Sequence, residues 1–214
     1  MMVAFFWTIL GCQEHPIESD IDTATNIPET CEAFEYLIDP FIDHLVEFEP
    51  GEGAGFGQDQ LPDIIFGPPK GAGDAKGSFD VLTLGDGGSI IVEFTDLIPI
   101  DGEGVDILVF ENPFIGWIEP GIVSASMDGV EWFTWECQLS PPFEGCAGLT
   151  PVIAHETENC LDATDPNIAG GDGFDLADIS LEYARFIKIE DAQISGLGGF
   201  DLDAIAVVNG EVLP

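Results

Sequence analysis

The chain is 214 residues long and carries 41 Asp and Glu against 4 Lys and Arg, a formal charge of −37. Nucleic acid needs basic side chains to displace its counterions. That charge therefore excludes nucleic acid as a partner, and it disfavours anionic membrane surfaces and phosphorylated substrates. A 45% hydrophobic content with 16 Phe supplies a core, so the acidity does not imply disorder. Such a charge keeps a protein soluble but makes its compact state repel itself, and salt or bound divalent cations relieve the repulsion.

Val3 to Leu10 is an apolar run too short to span a bilayer, and it ends in Ile9-Leu10-Gly11-Cys12. It resembles a bacterial lipoprotein signal, in which a small residue precedes the Cys that becomes lipidated. The resemblance implies export, lipidation at Cys12, and contact with a membrane through the lipid anchor only. Residues 13–30 are polar, acidic and aperiodic, and read as a tether. Residues 31–214 are expected to form a single β-sandwich domain.

In Cys31 to Phe48, apolar residues three and four apart could mark a helix, but Pro40 interrupts it; an edge strand at Leu45 to Phe48 is preferred. Pro50 to Gln58 holds four glycines with no helical pattern after them, so it reads as a flexible surface loop rather than a phosphate cradle. Short strands are then expected at Asp63–Phe66, Ser78–Leu84, Ser89–Phe94, Asp106–Phe110, Ile122–Met127, Val130–Trp135, Ala184–Ile189 and Asp203–Val208. Many short strands with turn signals and no long amphipathic helix point to an all-β sandwich or barrel. Asp128-Gly129 predicts a type I′ hairpin. Residues 137–171 are Pro-rich and irregular, giving the sandwich long irregular loops.

Setting Cys12 aside, Cys31, Cys137, Cys146 and Cys160 remain. An even number in an exported chain suggests disulfides. Cys137 and Cys146 flank a Pro-Pro loop and are expected to pair, which leaves Cys31 with Cys160. Zinc lacks its usual Cys or His spacing.

Val123 to Trp132, with Ser126-Met127-Asp128-Gly129 at its turn, and Ala184-Arg185-Phe186-Ile187-Lys188-Ile189 resemble the hairpin and later strand of discoidin or galactose-binding-like jelly rolls. Over roughly residues 50–209 the chain is also similar to uncharacterised bacterial cell-surface lipoproteins. The phrases that carry this are Gly55-Phe56-Gly57-Gln58-Asp59, Leu84-Gly85-Asp86-Gly87-Gly88-Ser89, Val109-Phe110-Glu111-Asn112-Pro113-Phe114, Gly145-Cys146-Ala147-Gly148 and Ala169-Gly170-Gly171-Asp172. The first resemblance implies a galactose-binding-like jelly-roll β-sandwich. Such modules mostly bind glycans through loops at one end, and many hold a structural calcium.

Gly199 to Val208 reads as a buried strand. Alternation puts Phe200, Leu202, Ala204, Ala206 and Val208 on one face, and Asp201, Asp203, Ile205 and Val207 on the other. Gly173-Phe174-Asp175-Leu176 echoes Gly199-Phe200-Asp201-Leu202. Buried carboxylates are costly unless paired or metal-bound, and four basic residues cannot pair them all. Asp101, Asp106, Glu111, Asp172, Asp175, Asp178, Asp201 and Asp203 are therefore candidate ligands for calcium, which takes six to eight oxygens. The alternative for each is a turn cap made to backbone N–H groups.

Trp117 is the aromatic residue expected to meet a ligand, with at least one of Trp132 and Trp135 in the core. Glu111 and Glu119 could form a glycosidase-like pair, but no nucleophile signature is present among Ser, His and Asp. The expectation is a non-enzymatic, calcium-stabilised module at the cell envelope or surface, binding glycan or another envelope component. A calcium-dependent glycan hydrolase and a purely structural envelope protein are the alternatives.

Overall fold

The structure is a computed structural model and describes residues 33–111 and 113–213. The signal segment, Cys12, the tether and Cys31 lie outside the described residues.

The described chain is all-β. Its strands are β1 (His44–Glu49), β2 (Leu82–Thr83), β3 (Ser89–Glu93), β4 (Leu97–Pro99), β5 (Ile107–Phe110), β6 (Gly121–Ser126), β7 (Phe133–Thr134), β8 (Asp172–Phe174), β9 (Phe186–Asp191), β10 (Asp201–Leu202), β11 (Ala204–Val207) and β12 (Gly210–Val212). They form a five-stranded sheet in the order β1-β3-β9-β6-β7 and a three-stranded sheet β11-β5-β8, with two-stranded ribbons β10-β2 and β12-β4. All these pairings are antiparallel.

Alternation along β3, β6 and β9 sends Ile90, Val92, Val123, Ala125, Ile187 and Ile189 inward. There they meet Ile107, Val109, Phe174, Ile205 and Val207 of the smaller sheet. This is the sandwich core, made by one apolar face of each sheet. The outer face of β5 and β11 is covered too: Leu108, Phe110, Ala204 and Ala206 pack under Phe41, Val152, Ala154, Ala163 and Ala169. Buried on both faces, these two strands are apolar at every position. Truncating Phe110 to Ala would cost about 3–5 kcal/mol.

Several expectations hold. The strand predicted over Leu45–Phe48 is β1, at the edge of the large sheet. Trp135 is core and donates its Nε1–H to the Asp175 carbonyl at 2.8 Å, while the Trp132 ring lies 5.5 Å from Lys188 Nζ. Cys137 and Cys146 are disulfide-bonded, with Cα atoms 4.6 Å apart. Cys160 is disulfide-bonded as well.

Others are corrected. Asp63–Ile65 is a 3-10 turn burying Ile64 and Ile65; a three-residue apolar run between prolines does not distinguish turn from strand. Ser78–Leu84 contracts to β2. No type I′ turn forms at Asp128-Gly129: only Gly129 has positive φ, and Asp128 Oδ1 instead accepts from Val130 N and Glu131 N at 2.8 and 3.0 Å. The glycine loop is pinned rather than free. Gly51 N donates to Leu84 O at 2.8 Å, and a Cβ on Gly51 would fall 2.4 Å from Asp86 O. Strands β4, β8 and β12 were not expected.

The predicted strand Gly199–Val208 is two strands. β10 pairs with β2 and β11 with β5, and Asp203 sits at the break. The break resets the alternation. Phe200 and Leu202 share the main core with Ile205 and Val207, whereas Ala204 and Ala206 face the other way.

Candidate cation site and aromatic groove

Strand β5 carries an acid at each end, Asp106 before Ile107 and Glu111 after Phe110. Five strand steps separate them, about 17 Å. Each is a buried member of a three-carboxylate group whose oxygens lie within 4.8 Å of one another. One group is Asp101, Asp106 and Asp175; the other is Glu111, Glu119 and Asp201.

The first group is held by hydrogen bonds. Asp106 is fully buried and accepts from Gly102 N at 2.9 Å, Leu176 N at 2.8 Å and Asn209 Nδ2 at 2.9 Å. It ties the entry to β5, the turn after β8 and the β11–β12 turn together. Asp175 caps the Leu176–Ile179 turn by accepting from Ala177 N at 2.8 Å. Asp101 is exposed. A carboxylate with three donors has its charge satisfied without an ion.

The second group is different. Glu111 is 1% exposed and Glu119 7%. Burial, then the negative charge of Asp201, pushes Glu119 up to about 7, with Asp191 adding to the rise and a Trp117 hydrogen bond opposing it. Burial also raises Asp201, partly offset by the Thr83 side chain, and its Oδ1 is buried without a hydrogen-bond partner. Among the described residues no basic side chain acts on either shift. Lys70 Nζ, Arg185 and Lys188 hold Asp80, Glu93 and Glu190 at 2.7 Å, which leaves Lys76 exposed at the groove rim. Like carboxylates this close keep a proton or take a cation.

The eight candidate ligands thus do not form one site, and the echoed Asp175 and Asp201 lie at opposite ends of β5. Three leave both groups. Asp172 accepts from Gly148 N, Leu149 N and Thr150 N at 2.7, 2.9 and 3.4 Å, and burial raises its pKa. Asp203 takes the Lys70 N–H on both oxygens, at 3.1 and 3.0 Å, and burial above all pushes it up to about 8. Asp178 is exposed on its turn. The turn-capping alternative therefore describes Asp172, and the strand break carries Asp203 away from Asp201.

Glu119 joins the second group through fold rather than sequence pattern: its only signal was the pairing with Glu111. Asp191 was missed altogether. Its carboxylate accepts from Gly87 N, Gln193 N and Phe200 N, all at 3.0 Å, which fixes the loop leading into Asp201. That loop also approaches Glu119 closely, because Gly198 leaves space for the carboxylate.

Asp201 also lines an open groove of about 450 Å³ with Phe56, Phe79, Phe114, Val81 and Lys76. Phe79 is 84% exposed and Trp117 50%. Trp117 stacks on Phe114 with ring planes 6° apart and centroids at 6.3 Å. Two backbone hydrogen bonds between Phe114 and Trp117 close this turn, and Ile115 N donates to Asp74 O at 2.9 Å, joining it to the loop before Phe79. Trp117 is therefore held against Phe114, a residue of the groove lining.

His155 Nδ1 accepts from Thr157 N and Glu158 N, both at 3.2 Å, and so serves its own turn. Among the described residues no helix is long and apolar enough to cross a membrane. No protein-family model matches the chain, and no curated protein matches it.

Proposed function

We propose that this is an exported, lipid-anchored binding module of the cell surface, a jelly-roll-type sandwich that holds calcium at Glu111, Glu119 and Asp201 and takes glycan in the adjoining groove. One observation carries the reading: of three clustered carboxylates, Asp201 also lines an exposed aromatic groove, with no basic side chain among the described residues acting on Glu119 or Asp201. Three carboxylates offer up to six oxygens, the number at which calcium coordination begins. The ion would offset their repulsion and hold the loops around Glu119 and Asp201 in one arrangement. Aromatic faces such as Phe79 and Trp117 present the flat apolar surface on which pyranose rings stack.

Melting in calcium and in chelator, at matched ionic strength, tests the ion. A ligand at a hundred times its Kd adds about 2.7 kcal/mol, so calcium should raise Tm by roughly 5–10 °C. An unchanged Tm would remove the calcium. A glycan array tests the groove.

A calcium-dependent glycan hydrolase is the second reading, because Glu111 and Glu119 bring carboxylate oxygens within 4.8 Å. Glycosidase carboxylates flank the scissile bond from opposite sides. Here both are buried and neither lines the groove, which favours binding. Turnover on a polysaccharide panel would favour hydrolysis. Calcium-driven self-assembly without any ligand would favour a structural envelope role.

A further inference from the structure

We infer that the cleft between strands β7 and β8 docks an extended, lysine- or arginine-bearing segment of another protein, which adds to the free edge of β8 at Gly173. This surface is independent of the calcium and glycan reading. β7 is an edge of the five-stranded sheet and β8 an edge of the three-stranded one. Between them lies an open cleft of about 560 Å³, lined on one side by Thr134 and Glu136 and on the other by Gly173 and Asp178. The Trp135 and Phe174 rings, also in the lining, join the two sides with centroids 5.1 Å apart.

Backbone alternation decides which way β8 presents its polar groups. Val208 N donates to Asp106 O at 2.8 Å, and Asp203 N to Phe110 O at 2.9 Å. The even-numbered residues of β5 therefore bond toward β11. The odd-numbered ones, Ile107 and Val109, bond toward β8, where they face Phe174 and Asp172. Gly173, between these two, turns its N–H and C=O away from β5. It is exposed, and among the described residues no hydrogen bond outside the strand ladder reaches either group. An unpaired donor and acceptor on a sheet edge are what an added strand bonds to. The glycine itself serves packing, because a Cβ there would stand 2.7 Å from Val105 Cγ2.

Charge selects the segment. Glu136 and Asp178 are exposed on the two walls, and among the described residues the lining holds no basic side chain. A neutral strand gains only the backbone bonds and an acidic one is repelled, whereas a long basic side chain finds a carboxylate on either wall. A second copy of this chain fits poorly, since its own free edge at β1 carries Glu47 and Glu49, and like charges on facing strands repel.

The test measures binding of a hexapeptide of alternating Lys and Val to the intact protein, with amide exchange read residue by residue. The peptide should bind saturably and slow exchange of the Gly173 N–H by about tenfold or more. The same peptide methylated on every backbone nitrogen keeps its charge and loses its donors, and should bind about tenfold more weakly. Glu136→Gln combined with Asp178→Asn should weaken the parent peptide about fivefold. Glu47→Gln combined with Glu49→Gln removes equal charge from the far edge of the large sheet, about 19 Å from β7. At about 0.15 M salt that distance is screened, so affinity should stay within about twofold. Equal affinity for the methylated peptide, or equal losses in the two double variants, assigns binding to the net charge of −37 and overturns the inference. So does a Glu-Val peptide that binds as well, no binding of the Lys-Val peptide, or unchanged exchange at Gly173. Self-association that protects Gly173 before peptide is added makes the occupant a second copy and overturns it too.

Discussion

The Glu119 carboxylate lies directly on the Cα of Gly198: a Cβ built at 198 would stand 1.5 Å from Glu119 Oε1. No rotamer of that methyl avoids the oxygen, so the carboxylate must move. Gly198→Ala should therefore weaken calcium binding about 10–100-fold, the range seen when a residue supporting a ligand is changed, although no ligand is removed. Calcium titration of the variant checks this. Undiminished affinity would place the ion elsewhere.

The raised carboxylates set a pH dependence. Glu119 rises from 4.5 to about 7 and Asp203 from 3.8 to about 8. Between those values the folded protein holds protons that the unfolded chain has lost, so stability falls as pH rises through the window. The penalty is absent below it and complete above it. Calcium replaces the proton on Glu119, so the fall should be steeper in chelator than in calcium. Glu119→Gln should flatten the chelator curve. Self-repulsion of the acidic surface acts in both arms and cancels in the comparison. Parallel curves would mean that Glu119 is not a ligand.

Asp106 separates structure from ion binding. Asp106→Ala strands the Gly102 and Leu176 N–H groups and the Asn209 amide. The cost should be on the order of 3 kcal/mol, with the calcium-induced rise in Tm unchanged. If that rise disappears, the ion belongs with Asp101, Asp106 and Asp175.

Trp117 is half exposed and its main packing partner is Phe114. Trp117→Ala should cost about 1 kcal/mol of stability or less, yet weaken glycan binding about tenfold. Binding unchanged on an array would take Trp117 out of the ligand site.

Much of the fold was readable because its strands obey the two-residue period: β3, β5, β6, β9 and β11 each overlap the run predicted for them. The 3-10 turn at Asp63–Ile65 escaped because short apolar runs look alike in strand and turn. The break at Asp203 escaped for a different reason. Leu202 and Ala204 keep the spacing of one strand face, and only pairing with different partners, β2 and β5, reveals the reset. That reset governs the candidate site. It leaves Asp201 with Glu111 and Glu119 and turns Asp203 toward Lys70 N. The acid surplus was visible in composition; which acids converge depends on β5 placing Asp106 and Glu111 at opposite ends.

The most direct test is isothermal calcium titration of the intact protein beside Asp201→Asn, in the same salt. The account predicts a saturable site in the parent and at least a tenfold loss in the variant. Identical calcium isotherms for the two proteins, or no heat of binding in either, would contradict it.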